Sequence, residues 1–198
     1  MLKSLALSLL VLVLLALPGA ADLVNFDSLA LADFQPIPDG YGSTADFSVS
    51  YQTLGTAPHL SFVNSNYGDL SKVAISAQHF ALAEIRFTAN NPGERLTLDK
   101  FDLGGAAVNA ATQLRILDGN GAVLLDYGDV FVPNAVGHVT FMPGVTSEVL
   151  ALQFGNDSRI GIDNIELTAV AIPEPSACVC VGAACALLAV RRLMVGRV

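Results

Sequence analysis

Between Leu23 and Thr168, apolar and polar positions alternate in short runs separated by turn residues. A period of two sends successive side chains to opposite faces of an extended chain, so each run reads as a strand with one buried face. Leu23–Phe26 opens the series. Phe47-Ser48-Val49-Ser50-Tyr51 alternates without a break and places Phe47, Val49 and Tyr51 on one face. Leu60–Val63, Lys72–Ser76, Ala83–Thr88 and Leu96–Leu103 follow, then Gln113–Leu117, Ala122–Leu125, Val136–Phe141, Val149–Phe154 and Ile160–Thr168. Asp118-Gly119-Asn120-Gly121 separates two of these runs and is a hairpin signal, because Gly and Asn accept positive φ. The Pro and Gly residues of Gln35–Gly40 mark a long loop after the first strand. Nothing between the runs reads as a long amphipathic helix. About ten strands at this spacing predict an all-β fold, an antiparallel β-sandwich.

Two terminal runs break the alternation. Residues 1–21 have Lys3 at the front, an apolar stretch from Leu5 to Leu17, and then Pro18 and Gly19. Gly19 and Ala21 put small residues at −3 and −1 of a cut before Asp22, which are the parts of a secretory signal peptide. Near the other end, Ile172-Pro173-Glu174-Pro175 precedes 14 apolar residues from Ala177 to Val190, followed by Arg191 and Arg192. A transmembrane helix of about 177–195 needs the two arginines to snorkel. Their charge keeps that end cytoplasmic and turns the domain before it outward. The chain thus divides into a signal peptide (1–21), an exported domain (22–171) and a C-terminal segment (172–198).

Pro173-Glu174-Pro175, a short apolar helix and an Arg-containing tail, in that order, resemble the PEP-CTERM sorting signal of Gram-negative bacteria. The resemblance covers about a tenth of the chain. It implies a membrane-anchored precursor recognised and processed by an exosortase, with a destination at the cell surface or in an exopolysaccharide matrix. Cys178, Cys180 and Cys185 depart from the Leu and Gly commoner in that helix. The plain alternative is a C-terminally anchored membrane protein that is never cut.

Composition then narrows the chemistry. The chain carries a formal −8 with a pI near 4.6. No Lys/Arg cluster is available to neutralise phosphates, so nucleic acid is excluded as a partner. The exported domain holds 17 acidic and 6 basic residues, spread without runs. All three cysteines lie outside it, so it must be held by its core alone. His59, His79 and His138 have no metal-ligand spacing, and His79 beside Phe80 reads as a core or edge histidine. No Gly-x-Ser-x-Gly elbow or comparable signature is present, so the chain is read as non-enzymatic, with a secreted polysaccharide-acting enzyme as the alternative. Asp118–Gly121 with Asp126 lacks the spacing of an EF-hand loop and stays a turn.

Asn25-Phe26-Asp27 near the start and Gly161-Ile162-Asp163-Asn164-Ile165-Glu166-Leu167 at the close are similar to the first and last strands of jelly-roll modules of the galactose-binding and carbohydrate-binding type. That resemblance implies a jelly-roll-like sandwich. It also implies a structural calcium, with Asp163 as its ligand from the last strand and Asp27 from the N-terminal side. Asp163-Asn164 also reads as a pair facing solvent or bonding a neighbouring loop. There is no Trp to form a sugar platform. Tyr41 and Tyr67 lie in Gly/Asn-rich loops, where they either stack on a glycan or pack the ends of the sandwich. The expected role is structural or adhesive within a polysaccharide matrix, with polysaccharide, the membrane and an exosortase as partners.

Overall fold

The computed structural model describes residues 19–65, 67–106, 110–132, 137–155 and 159–171. The sorting motif Pro173-Glu174-Pro175, the apolar run after it, Arg191, Arg192 and residues 1–18 lie outside the described residues. Among the described residues no helix is long and apolar enough to cross a membrane.

The described chain is all-β. Its strands are β1 (Ala21–Val24), β2 (Phe47–Thr53), β3 (Leu60–Val63), β4 (Val73–Ser76), β5 (Ala83–Ala89), β6 (Glu94–Gly105), β7 (Ala110–Leu117), β8 (Val123–Val132), β9 (Val139–Phe141), β10 (Val145–Ser147), β11 (Val149–Phe154) and β12 (Ile160–Ala171). They form two antiparallel sheets. One runs β10-β6-β12-β4-β3, with β9 also on β6 and β1 also on β12. The other runs β2-β5-β11-β7-β8. From β4 onward most connections cross between the sheets; the exceptions are the β7–β8 hairpin and the step from β9 to β10 along β6.

The alternation seen in the sequence is the alternation of burial. Phe47, Val49 and Tyr51 of β2 point inward, and Ser48, Ser50 and Gln52 point outward. Inward residues of both sheets, among them Phe87 and Phe154 on one and Leu98, Phe101 and Ile162 on the other, belong to one apolar cluster, which makes the fold a sandwich. Phe47 and Phe87 meet edge to face at 6.0 Å. The expected hairpin is present: Gly121 takes φ 82, and Asp118 Oδ1 accepts the amides of Asn120 (2.8 Å) and Ala122 (2.9 Å).

Three expectations are corrected. β8 extends seven residues beyond Leu125, past a register shift near Gly128 that the sequence pattern hides. The short β10 had no counterpart among the runs. His79, expected at the core or an edge, is exposed in the β4–β5 loop beside the exposed Phe80, which adopts φ 64.

A second, small core lies on the outer face of the seven-stranded sheet. Val63, Tyr67, Leu70, Val73 and Ile75 form it, as the connection from β3 to β4 folds over the sheet. Gly104 and Gly161, direct cross-strand partners, allow this. A Cβ on Gly104 would lie 2.1 Å from the Tyr67 carbonyl oxygen, and one on Gly161 would lie 2.5 Å from Val73.

Candidate functional site

The outer face of the five-stranded sheet carries a polar row that crosses every strand. Register places Gln52 (β2) opposite Glu84 (β5), Glu84 opposite Gln153 (β11), Gln153 opposite Arg115 (β7), and Arg115 opposite Asp126 (β8). Gln52 Nε2 donates to Glu84 Oε1 at 2.7 Å, and Gln153 Nε2 donates to Glu84 Oε2 at 2.7 Å. Arg115 Nε donates to Gln153 Oε1 at 3.0 Å. Arg86, on the same face one row along, donates to Glu84 Oε1 at 3.2 Å. Glu84 points away from the core and yet is only 2% exposed, because this network closes over it. A carboxyl group removed from water is tolerated when its oxygens are hydrogen-bonded, and here three donors reach them, two on Oε1 and one on Oε2.

The consequence is preorganisation. Arg115 is held in place through its Nε on Gln153 Oε1. Asp126 lies beside it, and in the next row Gln113 lies opposite Asp129. Phe131, 60% exposed, continues this face at the end of β8. The face thus offers a fixed cation, carboxylates, an amide and an aromatic ring.

The outer face of the seven-stranded sheet holds a second polar group. Asp102 (β6) and Asp163 (β12) are direct cross-strand partners, and both are buried. Asp102 Oδ1 accepts the Thr140 hydroxyl (2.7 Å), and Oδ2 accepts Asn164 Nδ2 (2.9 Å). His138 Nε2 stands 3.6 Å from Asp102 Oδ1, and its Nδ1 stands 2.8 Å from Asp69 Oδ1. That bond to His138 holds the Asp69 carboxyl below its ordinary range. Asp163 Oδ1 accepts the Phe26 amide at 3.1 Å, and burial pushes its carboxyl up to about 6. The geometry depends on a bulge in β12, where Asn164 takes φ 52 and the register shifts after Asp163.

Each residue singled out in the sequence now has a place. Asp163 does reach the N-terminal segment, through its bond to the residue before Asp27. Calcium needs six to eight oxygens, but the Lys72 ammonium sits on the carbonyl oxygens of Asp27 and Leu29. Among the described residues no group of three or more His, Cys, Asp or Glu is placed to hold a metal. The ammonium takes up the carbonyl lone pairs that would otherwise be offered to a metal.

Tyr41 stacks on Phe26 at 5.9 Å, and its hydroxyl donates to the Asn25 carbonyl at 2.8 Å. Tyr67 is corrected as a glycan platform: it is 5% exposed, within the small core. Both rings pack the sandwich. The exposed aromatics are phenylalanines instead, Phe34, Phe80 and Phe131. The polar row also went unseen in the sequence. Each strand contributes one residue to it, and only register aligns them.

No family model matches the chain, and no curated protein matches it. Solved structures resemble it weakly. A GH26-CBM35 β-(1,4)-mannanase of Podospora anserina is 14% identical with a TM-score of 0.40, over 67% of this chain and 29% of that one. An arabinose-bound GH51 α-L-arabinofuranosidase is 9% identical with a TM-score of 0.43, over 77% of this chain and 27% of that one. A family 11 carbohydrate-binding module of Clostridium thermocellum, in complex with a β-1,3-1,4-mixed-linked tetrasaccharide, is 10% identical with a TM-score of 0.25, over 70% and 96%. The chain therefore spans less than a third of the two enzymes.

Proposed function

We propose that residues 22–171 form a non-enzymatic, exported, jelly-roll-like domain that binds polysaccharide through the outer face of its five-stranded sheet. In this reading it serves an adhesive or structural role at the cell surface or in an extracellular matrix. The observation that supports it is the row Gln52–Glu84–Gln153–Arg115–Asp126. Sugar hydroxyls both donate and accept, so a glycan-binding face needs donors and acceptors fixed in advance, together with an apolar surface for the ring. The row supplies the first and Phe131 the second. The continued crossing between sheets favours a jelly roll over other sandwiches.

Delivery rests on the terminal patterns: a signal peptide removed before Asp22, then sorting and processing by an exosortase at Pro173-Glu174-Pro175. The secreted-enzyme alternative has its best footing at Asp102, Asp163 and His138. Both oxygens of Asp102 are already claimed, and both carboxylates are buried, which favours a structural role for that group.

The test is affinity electrophoresis of the 22–171 chain through gels containing neutral and uronate-rich polysaccharides. Retardation by at least one, weakened about tenfold in Arg115→Ala through loss of a charge-assisted donor, is the expected result. Thermal melts of both proteins confirm that they are folded. Unretarded migration in every gel, or equal retardation of the variant, would overturn the assignment of this face.

A further inference from the structure

The sandwich covers its sheet edges selectively. Along β2, Gly40 N donates to Val49 O (3.2 Å), Val49 N donates to Ser43 Oγ (2.8 Å), and Thr44 N donates to Phe47 O (2.9 Å). Along β3, Phe34 N and Ile37 N donate to the carbonyls of Phe62 and Leu60, and Phe62 N donates to Gln35 O. The remaining edges of the seven-stranded sheet are short: four residues in β1 and three each in β9 and β10. β8 is different. It has ten residues and pairs, among the described residues, with β7 alone. Its exposed positions include Val123 (52%), Leu124 (38%) and Phe131 (60%). A long, apolar, uncovered edge is a template for another strand.

The strand also fits itself. Val123-Leu124-Leu125-Asp126-Tyr127-Gly128-Asp129-Val130-Phe131-Val132 has the same pattern in both directions. An antiparallel pairing about its midpoint sets Val123 against Val132, Leu124 against Phe131, and Leu125 against Val130. Tyr127, whose ring packs on Phe141 of its own core, falls opposite Gly128, so no side chain crowds it across the pair. At the centre the ladder is interrupted, because Gly128 lies at φ 67 and its amide is taken by Asp126 Oδ1 at 2.7 Å.

We infer that β8 is a self-association edge: two copies of this chain pair β8 to β8 about a two-fold axis, joining their five-stranded sheets into one of ten strands. The contact is two apolar arms of three residues, Val123–Leu125 and Val130–Val132, on either side of the interrupted centre. It closes at two copies because the same patch serves on both. Asp126 falls opposite Asp129 of the other copy, and these like charges hold the affinity down. A single strand edge also buries less than the roughly 1,200 Å² of a stable interface, so the pairing is weak and concentration-dependent. At a crowded surface, that suffices to place two outer faces side by side and raise avidity for a repeating polymer.

The test needs no glycan and is independent of that reading. Among the described residues, every buried core residue lies between Val24 and Leu167, so the 22–171 chain carries that core. Sedimentation velocity over about 10 μM to 1 mM, the range of weak pairings, should show the mean mass climbing from monomer toward dimer and no further. L124K/F131K places lysine opposite lysine and should stay monomeric. L124K/F131E places lysine opposite glutamate in the same register and should still dimerise. Wild type that remains monomeric throughout, or a charge-swapped variant that behaves like the double lysine, would overturn the proposal. Both variants alter exposed side chains, and their melts check the fold.

Discussion

Asp163 enters the sandwich wall directly opposite a second carboxylate, Asp102, and is buried there. Burial raises its folded pKa to about 6 from an ordinary 3.8. The native state therefore binds more protons than the unfolded chain between about pH 4 and pH 6, and stability falls as pH rises through that window. Above pH 6 the fold carries an ionised Asp163 at a cost. Asp163→Asn keeps an acceptor for the Phe26 amide and removes the charge. It should stabilise the fold at pH 7.5 by on the order of 1 kcal/mol, read as a higher melting temperature, and the difference should vanish near pH 4. The same melts with chelator and with calcium settle the metal. If Lys72 fills the cation's role, neither addition moves the wild-type midpoint, whereas a calcium-dependent rise abolished in Asp163→Asn would restore the ion. The sequence singles out Asp163 through its Ile-Asp-Asn-Ile strand, and the link to the first strand's segment does exist. Its burial was not legible, because that depends on which residue lies opposite, and register is set by the whole sheet. The tyrosines teach the converse. Gly/Asn-rich flanks place Tyr67 in a turn, but the turn folds back over Gly104 and Gly161, and only the fold reveals that.

At the scale of elements, two glycines decide where a connection can lie. The 2.1 Å approach of a Cβ at position 104 to the Tyr67 carbonyl leaves no rotamer to absorb it, since the obstructing atom is backbone. Gly104→Ala should cost roughly 1–3 kcal/mol by lifting the β3–β4 connection from the sheet. A urea titration reports that cost, and Tyr67 fluorescence reports the exposure. An unchanged midpoint would mean that the small core contributes no stability. A strand with clean alternation, such as β2, was legible because one face is buried and the other is not. The β7–β8 hairpin was legible from turn chemistry alone. β10 was not, because Val-Thr-Ser is too short to show a period. The second half of β8 was lost at Gly128, where a register shift reverses the phase of the alternation. The polar row was hidden for a related reason: one outward Gln, Glu or Arg per strand is ordinary, and alignment across strands is not written in any one of them.

For the whole molecule, absence of cysteine from residues 22–171 agrees with what the sheets show: one large shared core carries the domain. The terminal segments that give the chain its expected address have their own test. Protein recovered from the native host should have the mass of a chain beginning at Asp22 and ending near Pro175, and a variant with Pro173-Glu174-Pro175 replaced by alanines should remain uncut. A wild-type chain still carrying Arg191 and Arg192 would make it a plain anchored protein. Polysaccharide binding, however, is assigned to one face of the sandwich. The most direct measurement is an amide NMR titration of the 22–171 chain with the polysaccharide that retards it most. Binding at this face should perturb Gln52, Glu84, Arg86, Gln113, Arg115, Asp126, Phe131 and Gln153 and leave Asp69, Asp102, His138 and Asp163 unmoved. Perturbations gathered at that second group instead, or none at saturating polymer, would contradict it.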